Sequence, residues 1–394
     1  MPIPIIAKWL NLPKVEIIQV RVEGPATEIA LVLTEGPMIC SCCGQEVSTI
    51  YDSRIRRLRD LSVFELATFL VVSRRRVLCP CCGVKVEGLK WAQPYQRYTI
   101  RFAEYVAKLC ELLPVKQVAE LLDLDWKTVK EIDKKALKER FGQPDYSDLR
   151  LLAVDEVSYK KHHKYLTVVL DLERTRVVWV GQGRSKETLD RFFEEIGQER
   201  AEKIVAMAID MWDPFLASIK EHAPQAVVVF DKFHVIAQYG RTVDRIRNEE
   251  YRKATEAQKP VLRGTRYLLL KNPENLKPDQ KVRLEELLSL NQNLNTTYLL
   301  KEELVRLWDY QSTEEAERSL DSWIGLAQES GIEELNRFTK TLDYYREGLI
   351  NHARWPINSA KLEGVNNKIK VIKRMAYGFH DLEYFILKIK QGFP

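Results

Sequence analysis

Between Leu151 and Val235 the hydrophobic pattern changes period in a fixed order, and that order restricts the fold more than any other feature of the chain. LLAVDEVSY, KYLTVVLDL and RVVWVGQG read as three consecutive strands, the last two joined by a polar turn around Glu173 to Thr175. SKETLDRFFEEIG reads as a helix with Ser185 as its cap. The strand KIVAMAID, the helix DPFLASIKEHA and the strand AVVVFDKFHV follow. Three strands in succession and then alternating helix and strand predict an α/β domain on one sheet.

Two of these strands carry an aspartate at the end of an apolar run, Asp155 in LLAVDEVSY and Asp210 in IVAMAIDMW. The element order is that of an RNase H-like domain, in which these strands lie side by side and their C-terminal ends bring the aspartates together. A third acid, Glu363 in NSAKLEGVNNKIK, sits in a basic, helix-like segment. Close carboxylates repel unless a cation neutralises them, and magnesium or manganese does so through hard oxygen ligands. Paired ions roughly 3.5 to 4 Å apart clamp both the attacking and the leaving oxygen of an in-line phosphodiester displacement. Other acids compete for these roles. Asp171 suits a turn, Asp213 before Pro214 suits a helix start, and Glu156 faces away from Asp155 along a strand. Asp231 is the rival to Asp210, and His234 lies three residues beyond it.

A chain of 394 residues exceeds one compact core and predicts two to three domains. Six of the seven cysteines fall in two knots, CSCC and CPCC, within a β-rich module over residues 1–95. Cys40, Cys43, Cys79 and Cys82 supply four thiolates, enough for one tetrahedral structural zinc, with Gly44 and Gly83 making the tight turns; Cys42 and Cys81 leave a choice of ligand. Close CxxC pairs favour metal over disulfides, and no secretion signal or membrane span is read. The expected compartment is the cytoplasm.

Residues 96–145 turn to helical periodicity and predict a helix-turn-helix. Its second helix, WKTVKEIDKKALKER, presents Lys127, Thr128 and Lys130 near a groove-facing end. The catalytic core begins over 150–240, is interrupted by a helical insertion over 241–350, and resumes over 351–394. A net charge of +5 is modest, but the cations are clustered: Arg54, Arg56, Arg57 and Arg59; Arg74 to Arg76; and six basic residues between Arg354 and Arg374 against the single acid Glu363. Such clusters are the footprint of phosphate binding. On the Glu363 segment, Asn366, Asn367 and Lys370 recur at helical spacing and, with Arg354, Lys373 and Arg374, are candidate DNA contacts. Trp323 and Trp355 are candidates for stacking on an unpaired base.

VDE on the first strand, FDKFHV on a later one and NSAKLEGVNNKIKVIKRMAYGFHD near the C-terminus resemble the DDE transposases of bacterial insertion sequences of the ISL3 type. The resemblance spans essentially the whole chain. It implies a retroviral-integrase-like fold, metal-dependent cleavage at transposon ends and strand transfer into target DNA. It further implies catalytic, metal-binding roles for Asp155, Asp210 and Glu363, with Asp210 placed just after the fourth strand. Asp231 and His234 become an accessory D-x-x-H pair on the fifth strand. Double-stranded DNA is then the partner, the helix-turn-helix reads the terminal inverted repeats, and a homo-oligomer assembles on two ends. The alternatives are a nuclease of the same fold that joins nothing, or a catalytically inactive DNA-binding regulator.

Overall fold

The structure, a computed structural model, describes residues 3–160, 164–357 and 360–393. It divides into two compact units, residues 1–143 and 144–394. Among the described residues no helix is long and apolar enough to cross a membrane.

The first unit opens with the helix Ile3–Leu10 and continues with β1 (Val15–Glu23), β2 (Ala26–Leu33), β3 (Met38–Ile39), β4 (Glu46–Val47), β5 (Ile50–Val63), β6 (Leu66–Cys79) and β7 (Gly83–Val86). Its main sheet runs β1-β2-β6-β5, with β7 paired to the far end of β6. Alternation along β2 and β6 sends Ile29, Leu31, Leu70 and Val72 into a core closed by Trp91. Three helices follow, Ile100–Leu112, Val115–Leu122 and Trp126–Phe141, packed through Phe102, Val106, Val118, Val129 and Ile132. The last two are separated by three residues, because Asp123 turns left-handed at φ +52° and Asp125 caps the next helix through the Lys127 amide at 2.8 Å.

The second unit is built on a sheet of β8 (Leu151–Lys160), β9 (Lys164–Asp171), β10 (Arg176–Gln182), β11 (Ala206–Ile209) and β12 (Val227–Phe230), in the order β10-β9-β8-β11-β12. β8, β9 and β10 are antiparallel neighbours, whereas β11 runs parallel to both β8 and β12. Residues of alternate parity supply two cores. Leu152, Val154, Met207 and Ile209 face the helices Lys186–Ile196 and Asp213–His222 and the long helical region after them. Ala153, Val157, Leu166, Val168 and Ala208 face the helices Ala360–Met375 and Leu382–Gly392. Ser185 caps the helix Lys186–Ile196 in a capping box with Thr188.

The structure redraws several sequence expectations. β8 extends through Lys160 in a hairpin with β9, so Asp155 lies mid-strand, not at a strand end. β12 stops at Phe230, and the fifth strand does not carry the D-x-x-H pair; Asp231 caps the helix Lys232–Lys253 and His234 sits in its first turn. That helix runs unbroken across residue 240, where the helical insertion was expected to start. Asp213 is the first residue of its helix, with Trp212 in the capping position.

Candidate functional site

Asp155 and Asp210 are brought together by register and parity. Ala208 of β11 pairs with Ala153 of β8, so two residues further along, Asp210 comes level with Asp155. Both then share the parity of Ala153 and Ala208, the face covered by the helix Ala360–Met375. β11 ends at Ile209, where the Trp212 amide bonds the Asp210 carbonyl at 2.7 Å and the chain turns away. Parallel pairing stops there while β8 continues with β9 alone, which leaves room for side chains to converge.

Oxygens of Asp155 and Asp210 and a ring nitrogen of His234 all lie within 4.8 Å of one another. His234 Nδ1 donates to Asp210 Oδ2 at 2.7 Å. Asn366, from the overlying helix, donates through Nδ2 to Asp155 Oδ2. Burial, and then the Asp210 charge, push the Asp155 carboxyl up to about 6, against the backbone hydrogen bond from Glu156. Burial works against the His234 cation, but the hydrogen bond to Asp210 and the charges of Asp210, Asp155 and Asp231 raise its pKa overall. The group is thus an excess of negative charge held in a half-buried cleft, and a divalent cation with oxygen preference matches that donor set.

Asp231 is close by but differently used. One of its oxygens accepts from the Phe233 amide at 2.8 Å as a helix cap, while Oδ2 is buried without a hydrogen-bond partner. Burial raises its pKa. Glu363 is exposed on the Ala360–Met375 helix, one turn before Asn366, and lies outside the 4.8 Å group; its charge acts on Asp231. Glu156, on the opposite parity to Asp155, is pushed up to about 7 by burial and lies 3.6 Å from Arg184. Asp171 fills its expected turn role, accepting from the Glu173 and Arg174 amides.

Four of the six clustered cysteines come together. Cys40, Cys43, Cys79 and Cys82 place their sulfurs within 4.8 Å of one another, and Cys43 and Cys79 are 3.6 Å apart. Sulfurs about 2.3 Å from a tetrahedral zinc stand roughly 3.8 Å from each other, so the four fit the ion. Backbone hydrogen bonds from Cys43 and Cys42 bring the Cys40 thiol down to about 7. Cys42 and Cys81 are exposed, and Cys81 donates to Gln45. Gly44 and Gly83 carry φ of +75° and +68°, the left-handed turns that fold each knuckle back.

Most of the arginines in the two N-terminal clusters have internal partners. Arg57 bonds Glu28 at 2.6 Å and lies over Phe69; Arg75 forks onto Glu87; Arg76 pairs with Asp52. Arg59 and Arg74 are buried, the latter donating to the Glu87 carbonyl. Arg54 and Arg56 remain exposed on β5. On the helical segments Lys127, Arg354, Asn367, Lys370 and Arg374 are exposed, Thr128 and Lys130 half-buried, and Lys373 reaches the Ser158 carbonyl at 3.3 Å. Asn366, expected on the outer polar face, is buried against Asp155. Trp323 is core, donating to the Leu300 carbonyl and packed on Tyr239 and Phe338, so it is not free to stack on a base. Trp355 is half-buried.

Three family models match the chain in order. A zinc-finger of transposase IS204/IS1001/IS1096/IS1165 covers residues 36–82, the helix-turn-helix domain of transposase family ISL3 covers 87–137, and the ISL3 DDE transposase domain covers 152–389. The chain belongs to the ISL3 transposase family. The transposase for insertion sequence element IS1001 of Bordetella parapertussis is 42% identical over 378 residues, 94% of this chain and 93% of that protein. The transposase for insertion sequence element IS1557 of Mycobacterium tuberculosis is 31% identical over 373 residues, 88% and 84% respectively. This transposase therefore carries its zinc ribbon, helix-turn-helix and transposase domain in the family order, and the four-cysteine group falls within the zinc ribbon, which supports a structural zinc there.

Proposed function

We propose that this transposase binds the terminal inverted repeats of its insertion sequence, hydrolyses the phosphodiester bonds at the ends and joins the 3′ ends to target DNA. The observation that carries the reading is the convergence of Asp155, Asp210 and His234 within 4.8 Å on the sheet face beneath the Glu363 helix. The strand order of the second unit, antiparallel for three strands and parallel for the next two, supports an RNase H-like core. Two magnesium or manganese ions held by Asp155, Asp210 and Glu363 would supply Lewis acidity at the attacking and leaving oxygens.

The chain's own residues set up that chemistry. Asn366 holds Asp155 Oδ2 and the Glu156 amide holds Oδ1, which orients the carboxylate while each oxygen keeps a second lone pair for a cation. His234 holds Asp210 by its Nδ1 and, in the cationic form that the surrounding carboxylates favour, offsets part of their charge. Asp231 and His234 act as accessory groups, the former also starting the helix that delivers the latter. Glu363, on the same helix as Asn366 and three residues before it, is the third acid of the set, and its charge already acts on the neighbouring Asp231. Lys127, Thr128 and Lys130 are the base- and phosphate-contacting residues of the helix-turn-helix, and Arg354, Asn367, Lys370, Lys373 and Arg374 contact phosphates along the catalytic helix, giving salt-dependent affinity. Two ends are processed together, which calls for a homo-oligomer on DNA.

The test is a strand-transfer assay on pre-cleaved ends with magnesium or manganese. Joined products support the reading. Hydrolysis without joining identifies a nuclease, and binding without either reaction identifies an inactive regulator.

A further inference from the structure

β1 is an edge of the main sheet in the first unit: among the described residues it pairs with β2 alone, along a strand of nine residues. An edge of that length leaves a row of backbone N–H and C=O groups open to a further strand. Apolar side chains stand out along it, Ile18 being 60% and Val22 64% exposed. Glu16, Arg21 and Glu23 are exposed as well. Glu28, which lies opposite Arg21 on β2, is already taken by Arg57 at 2.6 Å.

The order of charges along this edge is complementary to itself. If two copies of the strand run antiparallel about a two-fold axis between Ile18 and Gln19, Glu16 of each meets Arg21 of the other, and Lys14 meets Glu23. Val15 then meets Val22, and Ile17 meets Val20. The faces agree too. Val15, Ile17 and Val20 all pack against the core of this unit, and the change from odd to even numbers comes from a bulge at Ile18, where pairing with β2 steps from Ile17 to Gln19. A slip of two residues sets Glu16 against Glu23 or Lys14 against Arg21, and a slip of one sets core-facing residues against solvent-facing ones. A bulge on an edge ordinarily puts an incoming strand out of step. Here the two-fold passes through it, so a second copy brings the same extra residue at the same level and the two strands stay in step; a regular strand does not.

We propose that two copies of this chain associate edge to edge through β1, antiparallel in this register, so that one sheet runs across the two-fold. The inference goes beyond the catalytic reading and needs no DNA, and it gives the homo-oligomer of that reading a surface.

The test is sedimentation velocity of the full-length protein in zinc-containing buffer without DNA. The wild type is expected to form a reversible dimer. Glu16→Arg and Arg21→Glu each turn two attractive cross-strand pairs into two repulsive ones and should weaken it about ten- to a hundredfold. The double variant Glu16→Arg/Arg21→Glu restores opposite charges at the wild-type net charge and should dimerise again, as should an equal mixture of the two single variants. Both positions are exposed, and circular dichroism of each variant confirms that it is folded. A wild type that is monomeric through the micromolar range, a dimer indifferent to both single variants, or a folded double variant that stays monomeric overturns the proposal. None of these outcomes bears on the strand-transfer assay, so the edge and the catalytic reading fail separately.

Discussion

Replacing Asp155 with asparagine should stabilise the metal-free protein while ending its catalysis. The folded Asp155 carboxyl ionises at about 6 against 3.8 for a free aspartate, because it is buried beside Asp210. A raised folded pKa means that this group's favourable contribution is fully present below about pH 4 and is lost as the pH rises through about 6. At neutral pH the ionised carboxylate therefore costs about 3 kcal/mol relative to an unperturbed one, at about 1.4 kcal/mol per pKa unit. At pH 5, where most of the folded groups are still protonated, the same linkage gives a cost of about 1.6 kcal/mol. Asparagine keeps the shape and carries no charge; its one carbonyl oxygen can accept from the Glu156 amide, and its amide nitrogen can donate to Asn366 once that side chain turns its unpartnered Oδ1 toward it. Urea unfolding in chelator, followed by circular dichroism, should show the advantage of Asp155→Asn over wild type growing by about 1.4 kcal/mol between about pH 5 and pH 7.5. Magnesium should then stabilise the wild type and not the variant, since only the wild type presents the paired carboxylates. An advantage that is flat across that pH range, or a variant less stable than wild type at neutral pH, would refute the reasoning.

Alanine at Asp155, Asp210 or Glu363 should abolish magnesium-dependent end cleavage in gel assays while end binding survives. Asp231→Ala should keep cleavage and lose about 1 kcal/mol of stability with its helix cap, and the reverse outcome for Asp210 and Asp231 would exchange their roles. Cys79→Ser should release zinc in a chromogenic assay, melt the ribbon and abolish end binding, while Cys42→Ser leaves the zinc in place. Arg56→Ala should weaken DNA binding without changing the melting temperature, whereas Arg74→Ala should destabilise the fold by about 1–3 kcal/mol, because the buried Glu87 carbonyl loses its donor.

The period of the apolar pattern placed the five strands and the helices between them, because those residues sit on faces with a single core to fill. Where the strand–helix boundary depended on one residue, the pattern was ambiguous. FDKFHV is apolar enough to read as strand throughout, yet Asp231 begins a helix with His234, not Glu or Gln, at the position that would complete a capping box. The extension of β8 did leave a signal, the alternation of Val157 and Tyr159 with Glu156, Ser158 and Lys160. Asn366 left one too, since Leu362, Val365, Asn366 and Ile369 follow the spacing of one buried helix stripe. The arginine partners were not legible: Glu28, Asp52 and Glu87 lie from 12 to 29 residues away in sequence and meet their arginines only through sheet register.

Asp155, Asp210 and Glu363, the proposed catalytic acids, are far apart along the chain, and this has a consequence for synthesis. A ribosome completes the zinc ribbon and helix-turn-helix first, then Asp155, and reaches Glu363 more than two hundred residues later. Under the proposed function, a prematurely terminated product that ends before the last helix pair would keep the zinc ribbon and helix-turn-helix and lack Glu363. Such fragments would occupy the same inverted repeats as the full enzyme, so errors of translation or a nonsense mutation would restrain the element and not release it.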